Sequence, residues 1–295
     1  MGEQTFKSGF VSIVGKPNVG KSTLMNKLVG ENVSIISSKA QTTRHRIMGI
    51  INGANYQIVY SDTPGILEPK YSLHEAMMSY VKVSLQDADV ILLVVTVEDT
   101  YEPETFERFS KFTTPIVLVI NKSDLIKASK LEEKVAYWKS HLGNVRSIIP
   151  VSALNGNGVE KVLPAIIEDI PVHPPYFPED EYTDRTERFF ASEIIREKIF
   201  LNYEQEVPYS CEVGIESFKE EKDIIRIRAV IYVERDSQKG IVIGKGGSLL
   251  KKVGTEARKD MEQFFVKKVF LETHVKVAEN WRKEKFKLRQ FGYLD

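Results

Sequence analysis

Over the first 170 residues, short runs of β-branched and aliphatic residues alternate with stretches whose apolar positions recur every three or four residues. The first kind suits strands and the second suits helices, so the pattern predicts a sheet covered by helices on both faces. Strands are expected at 9–14, 46–51, 56–62, 90–95, 116–121 and 148–152, with a helix after each except the second. Between the second and third stands Asn52-Gly53-Ala54-Asn55, a hairpin signal that makes one strand antiparallel in an otherwise parallel sheet.

This periodicity stops at residue 171. Four of the twelve prolines fall between Pro171 and Pro178, a density that neither a helix nor a sheet interior accepts. Residues 171–183 therefore read as a linker between an α/β domain, 1–170, and a smaller α+β domain, 184–295. In the second domain the pattern predicts a helix at 184–201, strands at 210–218 and 224–234, and a helical hairpin broken at Gly244. A strand at 269–277 and a basic helix at 280–291 follow.

Composition narrows the setting. With 42% hydrophobic residues in 295, both domains can bury a core. The single cysteine, Cys211, excludes an intramolecular disulfide and suits a reducing compartment. No apolar run approaches the roughly 18 residues of a membrane span. The opening Met1-Gly2-Glu3-Gln4 has no signal-peptide core, and Phe6 stands where a myristoylation signal would place Ser or Thr. A cytoplasmic protein is expected. The net charge of zero conceals polarity: residues 173–237 carry 9 basic against 16 acidic side chains, and residues 238–295 carry 14 against 7. A basic end of this kind fits a polyanion docked on one side of a small domain.

Candidate chemistry begins at Gly15-Lys16-Pro17-Asn18-Val19-Gly20-Lys21-Ser22, which matches G-x-x-x-x-G-K-[ST] between a predicted strand and a predicted helix. Backbone N–H groups of such a loop wrap phosphates, and the helix behind it points its positive end at the anion. The run Gly15 to Thr23 is the expected nucleotide cradle, with Lys21 supplying charge and Ser22 a magnesium ligand. Downstream, each at a predicted strand end, come Asp62-Thr63-Pro64-Gly65, Asn121-Lys122-Ser123-Asp124 and Ser152-Ala153-Leu154. A carboxylate at Asp124 can accept from both N1–H and the exocyclic amine of guanine, a pair that adenine does not offer. The expected nucleotide is GTP. Lys122 would lie along the base, Asn121 would tie its loop to the phosphate loop, and the Ala153 N–H would face guanine O6.

For hydrolysis, Asp62 is expected to hold magnesium through water and the Gly65 N–H to sense the γ-phosphate. One of Thr42 and Thr43 should close over the ion and the γ-phosphate, and the residues alone do not choose between them. Ile66 follows Gly65 and has no polar group to orient water, so intrinsic turnover should be slow. In the second domain, Gly244-Lys245-Gly246-Gly247 forms a G-x-x-G loop between helical segments, a nucleic-acid backbone site. Ile243, Gly244, Lys245, Gly246, Gly247 and Ser248, with Lys251, Lys252, Arg258 and Lys259, are the candidate RNA-binding residues. Ile241, Val242, Ile243 and Leu249 are expected to line a base groove.

Together with Gln41-Thr42-Thr43-Arg44-His45-Arg46, these motifs resemble the Era family, bacterial GTPases of small-ribosomal-subunit assembly, over essentially the whole chain. The resemblance implies a Ras-like P-loop GTPase domain with a mixed six-stranded sheet, then a type II KH domain. It further implies GTP and GDP with Mg2+, and single-stranded RNA near the 3′ end of small-subunit ribosomal RNA in the pre-30S particle. Peripheral membrane contact also follows from it, and a monomer is the default. GTPases with a hydrophobic residue placed like Ile66 often bind K+ through an asparagine placed like Asn18. A rival reading, a signalling GTPase whose basic helix meets a membrane or protein through Trp281, Phe286 and Phe291, leaves the G-x-x-G loop without a role.

Overall fold

The computed structural model describes residues 5–294, and the opening Met1-Gly2-Glu3-Gln4 lies outside the described residues. Two compact units emerge. One is built from residues up to Ser34, Thr43–Glu68 and Met77–Asp184, and the other from Ile35–Thr42, Pro69–Ala76 and Arg185 onward.

In the first unit, β1 (Lys7–Val14), β2 (Ile47–Gly53), β3 (Tyr56–Asp62), β4 (Val90–Thr96), β5 (Ile116–Asn121) and β6 (Val145–Pro150) form one sheet in the order β2-β3-β1-β4-β5-β6. Only β2 and β3 pair antiparallel, closing at Gly53 opposite Tyr56. Its helices are α1 (Lys21–Val29), α2 (Ser72–Asp87), α3 (Pro103–Phe106), α4 (Ala128–His141) and α5 (Val162–Asp169), with the first turn of α2 counted in the other unit. Strands β4 and β5 are buried at every position, which is why, up to the closing Thr96 and Asn121, their sequences are continuous apolar runs rather than alternating ones. On one face, Trp138, Phe106 and Phe109 pack over Leu93, Ile116 and Leu118. Strand β6 begins three residues before the expected 148 and stops at Pro150, which has no N–H to donate. The proline-rich segment is a strap on this unit. Ser8 N donates to Pro171 O (3.2 Å), Ile50 N to Tyr182 O (2.9 Å), and Gln57 Oε1 accepts from the N–H groups of Tyr176 and Phe177 (2.7 and 3.0 Å).

The second unit contains α6 (Glu187–Asn202), α7 (Val207–Ser210), β7 (Glu212–Glu220), β8 (Ile224–Val233), α8 (Asp236–Ile243), α9 (Ser248–Phe264), β9 (Lys268–Val277) and α10 (Lys285–Gln290). The sheet order is β7-β8-β9, with β7 antiparallel and β9 parallel to the central β8, the type II KH arrangement. Ile195 and Ile199 of α6 and Val253 and Met261 of α9 close the core over Ile227 and Ile231. Thr186 caps α6, its hydroxyl accepting from Phe189 N. Strand β7 starts two residues later than expected because Pro208 opens the helical turn α7.

The C-terminal helix is the larger correction. It spans only Lys285–Gln290, because Asn280 takes a left-handed φ of 53° and Lys283 N closes a turn onto its carbonyl at 2.8 Å. Trp281 is fully buried, its indole N–H donating to Ser210 O at 2.8 Å, and Phe291 packs against Tyr232. Of the three aromatic residues expected on a membrane- or protein-binding face, only Phe286 is exposed. Among the described residues no helix is long and apolar enough to cross a membrane.

Candidate nucleotide and RNA sites

The phosphate loop joins β1 to α1, and the cap residue of α1 is Gly20, with φ 91° and no side-chain cap. A Cβ there would lie 2.3 Å from Asn121 Nδ2, so glycine is required both by conformation and by space. With no acidic residue in its first turn, α1 presents its free N–H groups and positive end to the loop. Lys21 is 6% exposed, and its ammonium donates to the carbonyls of Gly15 (3.3 Å) and Lys16 (2.9 Å). Burial pushes its pKa down to about 8, with the neighbouring Asp62 carboxylate opposing that shift. A polyphosphate would supply the anion this ammonium lacks. Asn18 is exposed with φ 62°, and the Lys16 ammonium turns to Glu102 (2.7 Å) and Asp99 (3.7 Å), leaving its backbone as its contribution to the cradle.

Asp62 ends β3 wholly buried. Its Oδ2 accepts from Ser22 Oγ (2.6 Å) and Thr43 Oγ1 (3.4 Å), and its Oδ1 has no partner. Burial raises its pKa, while hydrogen bonding from Ser22 and the charge of Lys21 work the other way. These groups fit Mg2+. The orphaned oxygen is a hard donor, and magnesium in nucleotide sites takes one or two side chains and completes its shell with phosphates and water. Among the described residues no group of three or more His, Cys, Asp or Glu could form a cage for it instead.

The two threonines separate. Thr43 Oγ1 lies 2.9 Å from Ser22 Oγ, whereas the Thr42 hydroxyl donates to Lys39 O at 2.7 Å, so in this structure Thr43 is the threonine beside Ser22 and Asp62. Gly65 passes close over the phosphate loop: a Cβ there would meet Pro17 backbone atoms at 2.7 Å, and Ile66 N donates to Gly15 O at 3.0 Å. Ile66 itself packs toward the core.

At the base side, Asn121 ties the loops together, donating to Val19 O (2.8 Å) and accepting from Ala153 N (2.9 Å). In this structure the Ala153 N–H thus meets Asn121, tying its loop to the Asn121 loop. Lys122 sits at φ 60° and positions the following turn, from which Asp124 points an exposed carboxylate. Ser152 is buried and Leu154 is exposed beside it.

In the second unit, the G-x-x-G loop separates α8 from α9. Gly244, Gly246 and Gly247 have φ of 71°, 59° and 78°, and α9 starts from Gly247 with no acidic residue in its first turn. Lys245, Ser248, Lys251, Lys252 and Lys259 are exposed. Arg258 is engaged by Glu262 on its own helix at 2.9 Å, and Lys252 lies 3.9 Å from Glu256. Ile243 and Leu249 are half-buried at the loop and Ile241 is exposed, but Val242 is core, its carbonyl accepting from Tyr203 Oη at 2.7 Å.

Sequence reading missed the residues that bind segment 35–42 within this unit. Glu197 accepts from Ile36 N (3.0 Å), and the Lys39 ammonium caps α6 at Phe200 O and Tyr203 O (2.6 and 2.7 Å). Arg196, fully buried and paired with Glu193, donates to Thr42 O. A buried arginine is the only trace such contacts leave in a sequence, and partners some 160 positions away leave no pattern.

Comparison with known proteins finds relatives of both units. A family model described as a 50S ribosome-binding GTPase matches residues 10–122, and a KH domain model matches residues 206–282. GTPase Era of Geotalea uraniireducens is 47% identical, covering 99% of this chain and 100% of its own, and that of Syntrophus aciditrophicus is 45% identical, covering 98% and 95%. The crystal structure of Era with MgGDPNP and nucleotides 1506–1542 of 16S ribosomal RNA superposes with a TM-score of 0.95 at 40% identity, covering 98% of this chain and all of the other. An Aquifex aeolicus Era variant bound to GDP·AlF4− gives 0.94 at 39%, with the same coverage. With full-length identity well above what fold alone requires, and with both loops in place, the chain belongs to the Era family of GTPases.

Proposed function

We propose that this protein is a nucleotide-controlled RNA-binding GTPase that assists small-subunit assembly in the cytoplasm by holding single-stranded RNA near the 3′ end of 16S ribosomal RNA. Support for the RNA comes from the Era complex that shares this fold and from the open lysine-flanked loop. The control rests on one observation: Arg196 of α6 holds the carbonyl of Thr42, while the next residue, Thr43, sits on Asp62 and Ser22. Segment 35–42 thus belongs with the RNA-binding unit rather than being a free loop. RNA can be switched only if it binds the two nucleotide states unequally.

For hydrolysis, Lys21 and the amides of residues 16–22 hold the β- and γ-phosphates, and the Gly65 N–H marks the γ-phosphate. Ser22, Thr43 and Asp62 would hold Mg2+, which would supply neutralisation of the phosphate charge. Asp124 selects guanine. With Ile66 turned to the core, water is oriented by no side chain of that position, and K+ at Asn18 is the proposed source of extra transition-state charge. Equal turnover in sodium and potassium buffers would remove that ion from the scheme.

The test is anisotropy of a labelled single-stranded oligonucleotide of the 16S 3′ end at fixed salt, with a GTP analogue and then with GDP. Tenfold or tighter binding with the analogue, about 1.4 kcal/mol, and its loss in Lys245→Asp are expected. Equal affinity in the two nucleotide states would overturn the control.

A further inference from the structure

Two carboxylates stand beside the phosphate loop, where a polyanion is to bind. Asp99 and Glu102 lie in the turn between β4 and α3, and the Lys16 ammonium reaches them at 3.7 and 2.7 Å, lying 5.5 Å from the centroid of the Phe106 ring. By charge alone this placement is unfavourable, since each carboxylate repels phosphate. What the two acids supply is a hold on the loop.

The turn that carries them is braced from several sides. Asp99 Oδ2 accepts from Thr96 N (2.7 Å) and Thr96 Oγ1 (2.9 Å), the Lys134 ammonium donates to Asp99 O (2.9 Å), and Tyr101 N donates to Tyr137 Oη (2.9 Å). Lys134 and Tyr137 belong to α4, so that helix fastens the turn to the body of its unit. Thr96 ends β4 opposite Asn121 of β5, whose Nδ2 donates to Val19 O at 2.8 Å. The phosphate loop is therefore tied near both ends to two neighbouring strand ends, through the Lys16 side chain at its start and through Asn121 at its close. Between these ties the Lys16 carbonyl accepts from the Lys21 ammonium at 2.9 Å.

We propose that Asp99 and Glu102 are positioning residues of the phosphate loop, holding Lys16 by its side chain so that the cradle keeps its shape before a nucleotide arrives. This rests on the GTPase reading of the loop. The charge of Lys16 is taken up by the two acids rather than by phosphate, and its carbonyl stays aimed at Lys21. A cradle formed in advance loses less conformational freedom on binding, and the difference appears as affinity.

The test is equilibrium titration of the full chain with a fluorescent GDP analogue. The Lys16 and Glu102 side chains reach solvent, at 22% and 50% exposure, so their substitution leaves the core intact. Glu102→Gln should weaken binding about fivefold, the upper range for an exposed ion pair, although it removes a negative charge beside the loop. Lys16→Met should weaken it equally, and the double variant should bind no more weakly than either single one, since all three lack the same link. Lys16→Arg keeps the ion pair and should stay within about twofold of the parent. Tighter or unchanged binding in Glu102→Gln overturns the proposal, because the acids would then act only as charges that repel phosphate. So does a double variant weakened by the product of the single losses, about 25-fold, because Lys16 would then contact phosphate independently. A Lys16→Arg protein as weak as Lys16→Met overturns it too. A parent protein that binds no GDP would instead overturn the GTPase reading itself.

Discussion

Two glycine-rich loops in this chain end at helix N-termini, and they differ in what surrounds them. The caps are alike: Gly20 before α1 and Gly247 before α9 both take left-handed φ, and neither helix carries acid in its first turn. Around the phosphate loop the protein closes in, with Lys21 buried and Asn121 touching the space above Gly20. Around Gly246 and Gly247 nothing lies within 4 Å of an added Cβ, and Lys245 is exposed. One local device therefore serves two kinds of anion. Enclosure strengthens every charge interaction with a single compact polyphosphate. Openness lets a long nucleic-acid backbone cross the loop and gather contacts one phosphate at a time, each weaker and more sensitive to salt.

The contrast breaks most clearly at Lys21. Lys21→Ala removes charge-assisted hydrogen bonds of about 1.5–3 kcal/mol each, so GDP affinity by equilibrium titration should fall about 100-fold or more. RNA affinity of the nucleotide-free protein should not change, and a parallel loss would show that the two loops are not separate sites. The same lysine gives the enclosed loop a pH signature. Its pKa is lowered from 10.5 to about 8 by burial, so between those values the unfolded chain holds a proton that the empty folded site lacks. The contribution of Lys21 to stability therefore rises with pH across that window. Nucleotide binding must take the proton up, and GDP affinity should drop about tenfold between pH 7 and pH 9, a slope that Lys21→Ala abolishes. In the open loop the signature is salt instead. Lys251→Ala and Lys259→Ala should each lower the slope of log affinity against log salt by about 0.7, the value for one single-strand phosphate, and Arg258→Ala, already paired with Glu262, should leave it.

What could be read in advance follows the same division between local and distant causes. The strands Val90–Thr96 and Ile116–Asn121 are buried throughout and apolar up to their last residues, so they are visible in the sequence, as is the hairpin at Gly53. Motif order located both loops for the same reason, since each is a contiguous segment with a backbone demand. The C-terminal helix was misread because its basic, amphipathic look hides the pull of Ser210 on Trp281, 71 residues away. Thr42 and Thr43 look alike in the sequence, since what distinguishes them is the partner of each hydroxyl, Lys39 O for the first and Ser22 and Asp62 for the second. The bond from Ala153 N to Asn121 leaves no trace in the sequence, since no spacing reveals the reach of a side chain.

The smallest effect sharpens the comparison most, because it isolates conformation from crowding. Gly246 takes φ 59° with open space where its Cβ would be, so Gly246→Ala pays only for the left-handed backbone, about 1–2 kcal/mol. In the enclosed loop Gly20→Ala would meet Asn121 at 2.3 Å as well. Thermal melting of Gly246→Ala should therefore drop by a few degrees, about 2–4 °C per kcal/mol for a chain of this size, with GDP affinity intact. Its RNA affinity should weaken less than that of Lys245→Asp, since the charge remains and only a methyl group stands between loop and backbone. If Gly246→Ala instead loses RNA as completely as Lys245→Asp does, direct approach of the RNA backbone to the loop, rather than the lysines around it, carries the binding, and the open loop works by close fit as the enclosed one does.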